Sequence, residues 1–166
     1  MNWMWMIPTV IVAGTVFAMT TDEPGGGPDP QSPKRADKVV KTEAEWKKKL
    51  TPAQYKILRA QGTEAAFCGV FNDNKLQGTY TCVGCDLPVF KSDAKFDSGT
   101  GWPSFFQPAA KDSIWERADN AYGMRRVEVL CARCDGHLGH VFDDGPRDKG
   151  GKRFCINSEV LKFKKS

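Results

Sequence analysis

Beyond Gly62 the chain runs as short stretches punctuated by Gly, Pro, Asn and Asp. Stretches of this length and punctuation read as strands. They predict strands over Gly78–Cys82, Val89–Lys91, Ser113–Arg117, Arg125–Cys131, His140–Asp143 and Arg153–Phe163. Before Gly62 the pattern is helical. Thr42 and Glu45 match a capping box, so a helix starts at Glu43. Thr51 caps a second helix, with Pro52 at its first position. Tyr55 and Leu58 share its buried side, and Gly62 is placed to end it. The prediction is a mainly β fold with a short helical N-terminal arm.

The stretch Arg153-Phe154-Cys155-Ile156-Asn157 carries the first chemical signal. Side chains alternate faces along a strand. Arg153, Cys155 and Asn157 therefore share one face, while Phe154 and Ile156 point into a core. A cation beside a thiol favours the thiolate, the nucleophilic form. An inert buried cysteine fits these five residues equally well.

The N-terminal end differs in composition. Met1 to Met19 holds no charged side chain, and Val10, Ile11, Val12, Val16 and Phe17 make it apolar. It resembles a secretory leader, although no Lys or Arg precedes the apolar run. It is short for a membrane span, which needs about 20 apolar residues, and Pro8 and Gly14 interrupt it. The expectation is an export signal first, an uncleaved membrane anchor second and an artefactual start third. The protein is accordingly expected to be exported or membrane-anchored rather than cytoplasmic. Residues 20–38 are rich in Pro and Gly and poor in apolar side chains, which predicts a flexible tether. Residues 39–166 then form a single domain, long enough to bury a core. The net charge is +4 and the pI is about 8.7. Lys47, Lys48 and Lys49 make the densest basic cluster, which reads as a solvated face. Nothing here demands nucleic acid, and a monomer is expected.

Four of the six cysteines change the picture by their grouping. Cys82-Val83-Gly84-Cys85 and Cys131-Ala132-Arg133-Cys134 form two Cys-x-x-Cys knuckles. Two such pairs supply four thiolates to one tetrahedral zinc ion, in a closed and therefore structural site. Binding of that kind is worth roughly 10–16 kcal/mol in isolated fingers. Gly84 and Gly136 suit the tight turns of the knuckles. Two other readings stand beside it: a redox-active knuckle, which calls for an α/β pattern absent here, and a framework of disulfides in an exported chain. His137 and His140, the two histidines of the chain, follow directly. They read either as surface residues in a loop or as imidazoles aimed at Cys155.

Three further stretches are distinctive: Phe96-Asp97-Ser98-Gly99-Thr100-Gly101-Trp102-Pro103-Ser104-Phe105, Gly136-His137-Leu138-Gly139-His140-Val141-Phe142, and Arg153 to Asn157. With both knuckles in this order, the chain resembles the B-type methionine sulfoxide reductases from about Val40 to Phe163. Those enzymes reduce the R epimer of methionine sulfoxide. The resemblance implies two antiparallel β-sheets in a tent-like, zinc-braced arrangement. It also implies roles. Cys155 matches the nucleophile, and Arg153 a neighbour of the thiolate. His137, His140 and Asn157 match polar groups of the sulfoxide pocket. Trp102 matches the indole that receives the substrate methyl, with Phe154 counted beside it on the substrate side. Cys155 would pass through a sulfenic acid to a disulfide, which a thioredoxin-like dithiol would reduce. The substrates would be oxidised proteins or peptides. Many members carry the resolving cysteine where this chain has Thr100. Cys68 is the thiol left to take that part, and some members resolve from such a position. The alternative is direct resolution by an external thiol. Rivals to the whole reading are a zinc-ribbon binding module without chemistry and a thiol isomerase using one knuckle.

Overall fold

The computed structural model describes residues 29–166. The apolar 1–19 stretch and the tether as far as residue 28 lie outside the described residues. Helix α1 spans Glu43–Lys49, with Thr42 and Glu45 exchanging the two hydrogen bonds of a capping box. Helix α2 spans Pro52–Leu58, with Thr51 and Gln54 doing the same. Each cap contributes about 1 kcal/mol. Trp46, Ile57 and Leu58 turn inward and are almost wholly buried. Helix α2 stops at Leu58 rather than at Gly62. Gln61 adopts a left-handed φ of 53° and turns the chain. Gly62 serves close approach instead: its N–H returns to the Lys56 carbonyl at 2.9 Å, which a Cβ would meet at 2.8 Å.

The strands are β1 Gly78–Cys82, β2 Pro88–Lys91, β3 Lys95–Phe96, β4 Ser104–Phe105, β5 Ile114–Asp119, β6 Arg126–Cys131, β7 His137–Phe142, β8 Arg153–Ile156 and β9 Leu161–Lys165. They form two antiparallel sheets, ordered β2-β1-β9 and β3-β4-β8-β7-β6-β5. The predicted long strand over Arg153–Phe163 is therefore two strands in different sheets. A short 3-10 helix, Ser158–Val160, separates them. Its first two N–H groups bind the Glu64 carboxylate, a partner too distant in the chain to be read locally. Strands β3 and β4 are two residues each and too short to show an alternation.

Aromatic side chains fill the space between the sheets. Phe90 stacks on Phe105 with centroids 4.4 Å apart, and Tyr80 meets Phe105 edge-on at 5.1 Å. Full burial of side chains this size contributes about 1.5–3 kcal/mol each.

The last part of the expected tether, residues 29–38, runs along the domain surface. Lys38 pairs with Asp135 at 2.8 Å, Arg35 with Asp112 at 2.9 Å, and Asp29 with Arg117. This end of the segment carries charges with ready partners. Among the described residues no helix is long and apolar enough to cross a membrane.

Candidate active site and metal centre

Strand β8 lies between β4 and β7, with Cys155 directly opposite Ser104 on one side and His140 on the other. Directly opposed residues of an antiparallel pair present their side chains on the same face, so β7 delivers His140 beside the thiol. Gly139 permits the close approach of these strands, since a Cβ there would lie 2.0 Å from the Cys155 carbonyl oxygen. Cys155, His140, Asn157 and Trp102 line one cleft of about 140 Å³, with Thr63 and Arg126 at its sides. A cavity of about 150 Å³ accommodates a benzene ring, so the cleft takes a group of only a few heavy atoms.

Trp102 follows Gly101, whose φ of 88° turns the chain sharply. The half-buried indole donates its Nε1–H to the Glu64 carbonyl at 3.2 Å. Asn157 is buried and committed at both ends. Its Nδ2 donates to the Leu138 carbonyl at 3.0 Å, and its Oδ1 accepts the Glu64 N–H at 3.1 Å. Phe154, expected on the substrate side, instead points into the core, 5.9 Å from Phe90. Strand alternation places it there, one residue out of phase with Cys155.

Arg153 makes a two-pronged ion pair with Asp144, at 2.8 and 2.9 Å, and lies over the Phe142 ring at 4.5 Å. Burial pushes the Cys155 thiol up, while the Arg153 charge and the Thr100 hydroxyl pull it down; the balance lies above the ordinary thiol value. This differs from the thiolate expected from the neighbouring cation. Asp144 offsets much of the guanidinium charge, and burial outweighs the remainder.

The two histidines separate in role. His140 Nε2 meets Asp119 Oδ2 at 2.8 Å, and Arg126 meets the same oxygen at 2.7 Å. The Ala121 N–H, then His140 and Arg126, hold Asp119 at about 2. Asp119 is therefore an acceptor, and His140 Nε2 carries a proton. Neutral His140 then offers a lone pair at Nδ1. Burial draws its pKa below the ordinary value. His137 does not line the Cys155 cleft. It sits behind His140, rings 5.3 Å apart, and its Nδ1 meets Glu128 at 2.7 Å. Burial works to raise the Glu128 carboxyl, but His137 and Arg117 bring it below its ordinary value.

Cys68 is exposed. The N–H of its neighbour Phe67 donates to the Gly101 carbonyl at 2.8 Å. That bond sets the Cys68 loop beside Thr100, whose hydroxyl lies 4.0 Å from the Cys155 sulfur. Sequence reading missed Glu64, Asp119, Arg126 and Glu128. A charge among Val127, Val129 and Leu130 was a legible sign for Glu128. The others are joined to the site by pairings that no local pattern reveals.

The four knuckle sulfurs all lie within 4.8 Å of one another. Cys82 and Cys134 are 3.7 Å apart, and Cys85 and Cys131 are 3.5 Å apart. Four sulfurs at about 2.3 Å around a tetrahedral ion stand about 3.8 Å from each other, so the set fits a metal. Hydrogen bonding from Cys131 draws the Cys85 thiol far down and drives Cys82 far up. Cys82 ends β1 and Cys131 ends β6, so the cluster ties one sheet to the other. The left-handed turns fall at Asp86 and Asp135, with φ of 61° and 55°, not at the expected glycines. Gly84 and Gly136 make room for Leu58 of α2, whose side chain an added Cβ would meet at 2.8 and 2.5 Å.

Comparison with known proteins agrees with this geometry. The SelR domain model matches residues 50–165. A protein of Leptospira interrogans, named peptide methionine sulfoxide reductase MsrB, is 53% identical over 76% of this chain and 96% of its own length. A protein of that name from Bradyrhizobium diazoefficiens is 52% identical, covering 82% of this chain and 97% of its own. One from Methanosarcina barkeri is 54% identical, covering 76% and 88%. The chain belongs to the SelR-domain family, the B-type methionine sulfoxide reductases.

Proposed function

We propose that this protein is a peptide-methionine (R)-S-oxide reductase in which Cys155 takes the oxygen from the substrate. The observation that carries this reading is the single cleft uniting Cys155, His140, Asn157 and Trp102. A sulfoxide presents a small apolar methyl beside a strongly accepting oxygen. The flat Trp102 indole suits the first, and the polar side of the cleft suits the second. Their asymmetry selects one epimer.

The resting pair is a protonated thiol and a neutral imidazole. His140 Nδ1 accepts the Cys155 proton as the sulfur attacks, then returns it to the substrate oxygen. Oxygen passes from substrate sulfur to Cys155 sulfur. The sulfoxide is reduced by two electrons to methionine, which leaves, and Cys155 is oxidised to a sulfenic acid. The Cys68 thiol then condenses with that acid, forming a disulfide and water. A thioredoxin-like dithiol reduces the disulfide by exchange. Cys82, Cys85, Cys131 and Cys134 hold zinc, which braces the fold and takes no part in the reaction. The apolar N-terminal stretch directs export, so an extracytoplasmic reductant relay supplies the electrons.

Turnover of methionine-R-sulfoxide and methionine-S-sulfoxide peptides with dithiothreitol tests the activity. The protein reduces the R epimer, and Cys155→Ser reduces neither; failure of the unaltered protein on both epimers sinks the proposal. Trapping the oxidised protein and mapping its disulfide tests resolution, where a product lacking a Cys68–Cys155 bond removes Cys68 from the scheme. Sequencing the N-terminus of mature protein tests export.

A further inference from the structure

Glu64 holds both walls of the cleft. Its carbonyl accepts the Trp102 indole N–H at 3.2 Å, and its N–H donates to Asn157 at 3.1 Å. Its carboxylate spans to the segment after Asn157. There Oε1 accepts the Ser158 N–H at 2.7 Å, and Oε2 accepts the Glu159 N–H at 2.9 Å. Such carboxylate–amide bonds are about twice as strong as neutral ones. The rest of the loop is fitted to this fastening. A Cβ on Gly69 would come 2.3 Å from Ser158 Oγ and 2.6 Å from Glu64 Oε1. The Phe71 N–H donates to Ser158 Oγ at 3.2 Å. Phe67 returns to Gly101 at 2.8 Å, immediately before Trp102.

Trp102 stands between Gly101 and Pro103 and is only partly buried. The Glu64 carbonyl fixes its rotation, and the Glu64 side chain fixes that carbonyl relative to the strand bearing Cys155. Given the reading of Trp102 as the methyl-binding surface, we propose that Glu64 is a positioning residue for the reduction. It sets the indole at the separation from Cys155 that the sulfoxide methyl requires. No proton or electron passes through it.

The test uses Glu64→Gln, Glu64→Ala, Trp102→Ala and the double variant Glu64→Ala/Trp102→Ala in the full chain. Dithiothreitol is the reductant, so Cys68 is not needed for turnover. Glu64→Ala raises KM for an R-sulfoxide peptide about tenfold and changes kcat less than about threefold, in keeping with a lost charged hydrogen bond. Glu64→Gln, which keeps one acceptor and the shape, falls between. In the Trp102→Ala background the loss of Glu64 raises KM less than about twofold, because the group it positions is gone. In NMR spectra of Glu64→Gln the Trp102 indole N–H shifts and exchanges faster. The indole N–H of Trp115, held by Asp135 at 3.0 Å, stays unmoved and reports an intact fold. Additive KM effects, or a Trp102 indole signal unchanged in folded Glu64→Gln, overturn the proposal. Trp102→Ala with an unchanged KM removes the methyl-binding role itself, a failure seen without any Glu64 variant. Glu64→Gln keeps the test decisive if the alanine variant does not fold.

Discussion

At Cys155 two opposing influences meet, and their balance is testable. Burial raises the thiol and Arg153 lowers it. Replacing Arg153 with Leu removes the second, so the Cys155 pKa rises further. At any fixed pH below it the thiolate fraction falls, and the rate of iodoacetamide alkylation falls severalfold with an alkaline-shifted profile. An unshifted profile would show that Asp144 already cancels the guanidinium. His140 depends on Asp119 in the same way. Asp119→Asn no longer demands a proton on Nε2 and leaves the imidazole free to take the other tautomer. The expected result is a fall in kcat on the order of 100-fold with KM changed little, within the range for general acid–base catalysis. Steady-state kinetics on the R-sulfoxide peptide read both. At this scale Cys155, His140, Asn157 and Trp102 were legible because their motifs are local. Asp119 and Glu64 were not, since each reaches the site across strands or from a loop more than ninety residues away. The position of Phe154 was legible from strand alternation, which points it into the core and away from the substrate side where it was also counted.

Among elements, the β7–β8 pair carries the site. Gly139→Ala forces a methyl group onto the Cys155 carbonyl, and the strands must part. The expected cost is about 1–3 kcal/mol, the usual penalty for overpacking. Tm falls by several degrees, and activity falls more than stability because His140 moves away from Cys155. Thermal melts together with kinetics separate the two effects. The helices were readable almost residue by residue, because Thr42, Thr51 and Pro52 act on their own turns. The division of β8 from β9 was not. Asn157-Ser158-Glu159 is the only run of polar residues in Arg153–Phe163, too brief to mark a change of sheet, and what fixes the break is the distant Glu64 carboxylate binding Ser158 and Glu159.

For the whole molecule the knuckles decide how two sheets become one body. Their pairing was evident in the sequence, but not which strands they join, because that depends on the order of strands in space. Cys134→Ser leaves three thiols where four are needed. Metal analysis is expected to give one ion per chain for the unaltered protein and much less for the variant. Unfolding then starts well below the Tm of the unaltered protein, since structural zinc in small domains contributes on the order of 10 kcal/mol. A strong chelator at neutral pH produces the same change. If the metal-free protein melts at the same temperature, the sheets hold together by aromatic packing alone.

The loop from Thr63 to Phe71 has an implication for the timing of the catalytic cycle. Cys68 and the carbonyl that steadies Trp102 belong to one short piece of backbone. On the proposed resolution by Cys68, drawing that thiol to Cys155 would drag the piece along and loosen the indole once methionine has formed. Resolution and product escape would then be one event, and the spent protein would not hold a second substrate before it is recharged. The disulfide form should bind methionine-R-sulfoxide at least about tenfold more weakly than Cys155→Ser in the reduced state, as titration calorimetry on the two would show.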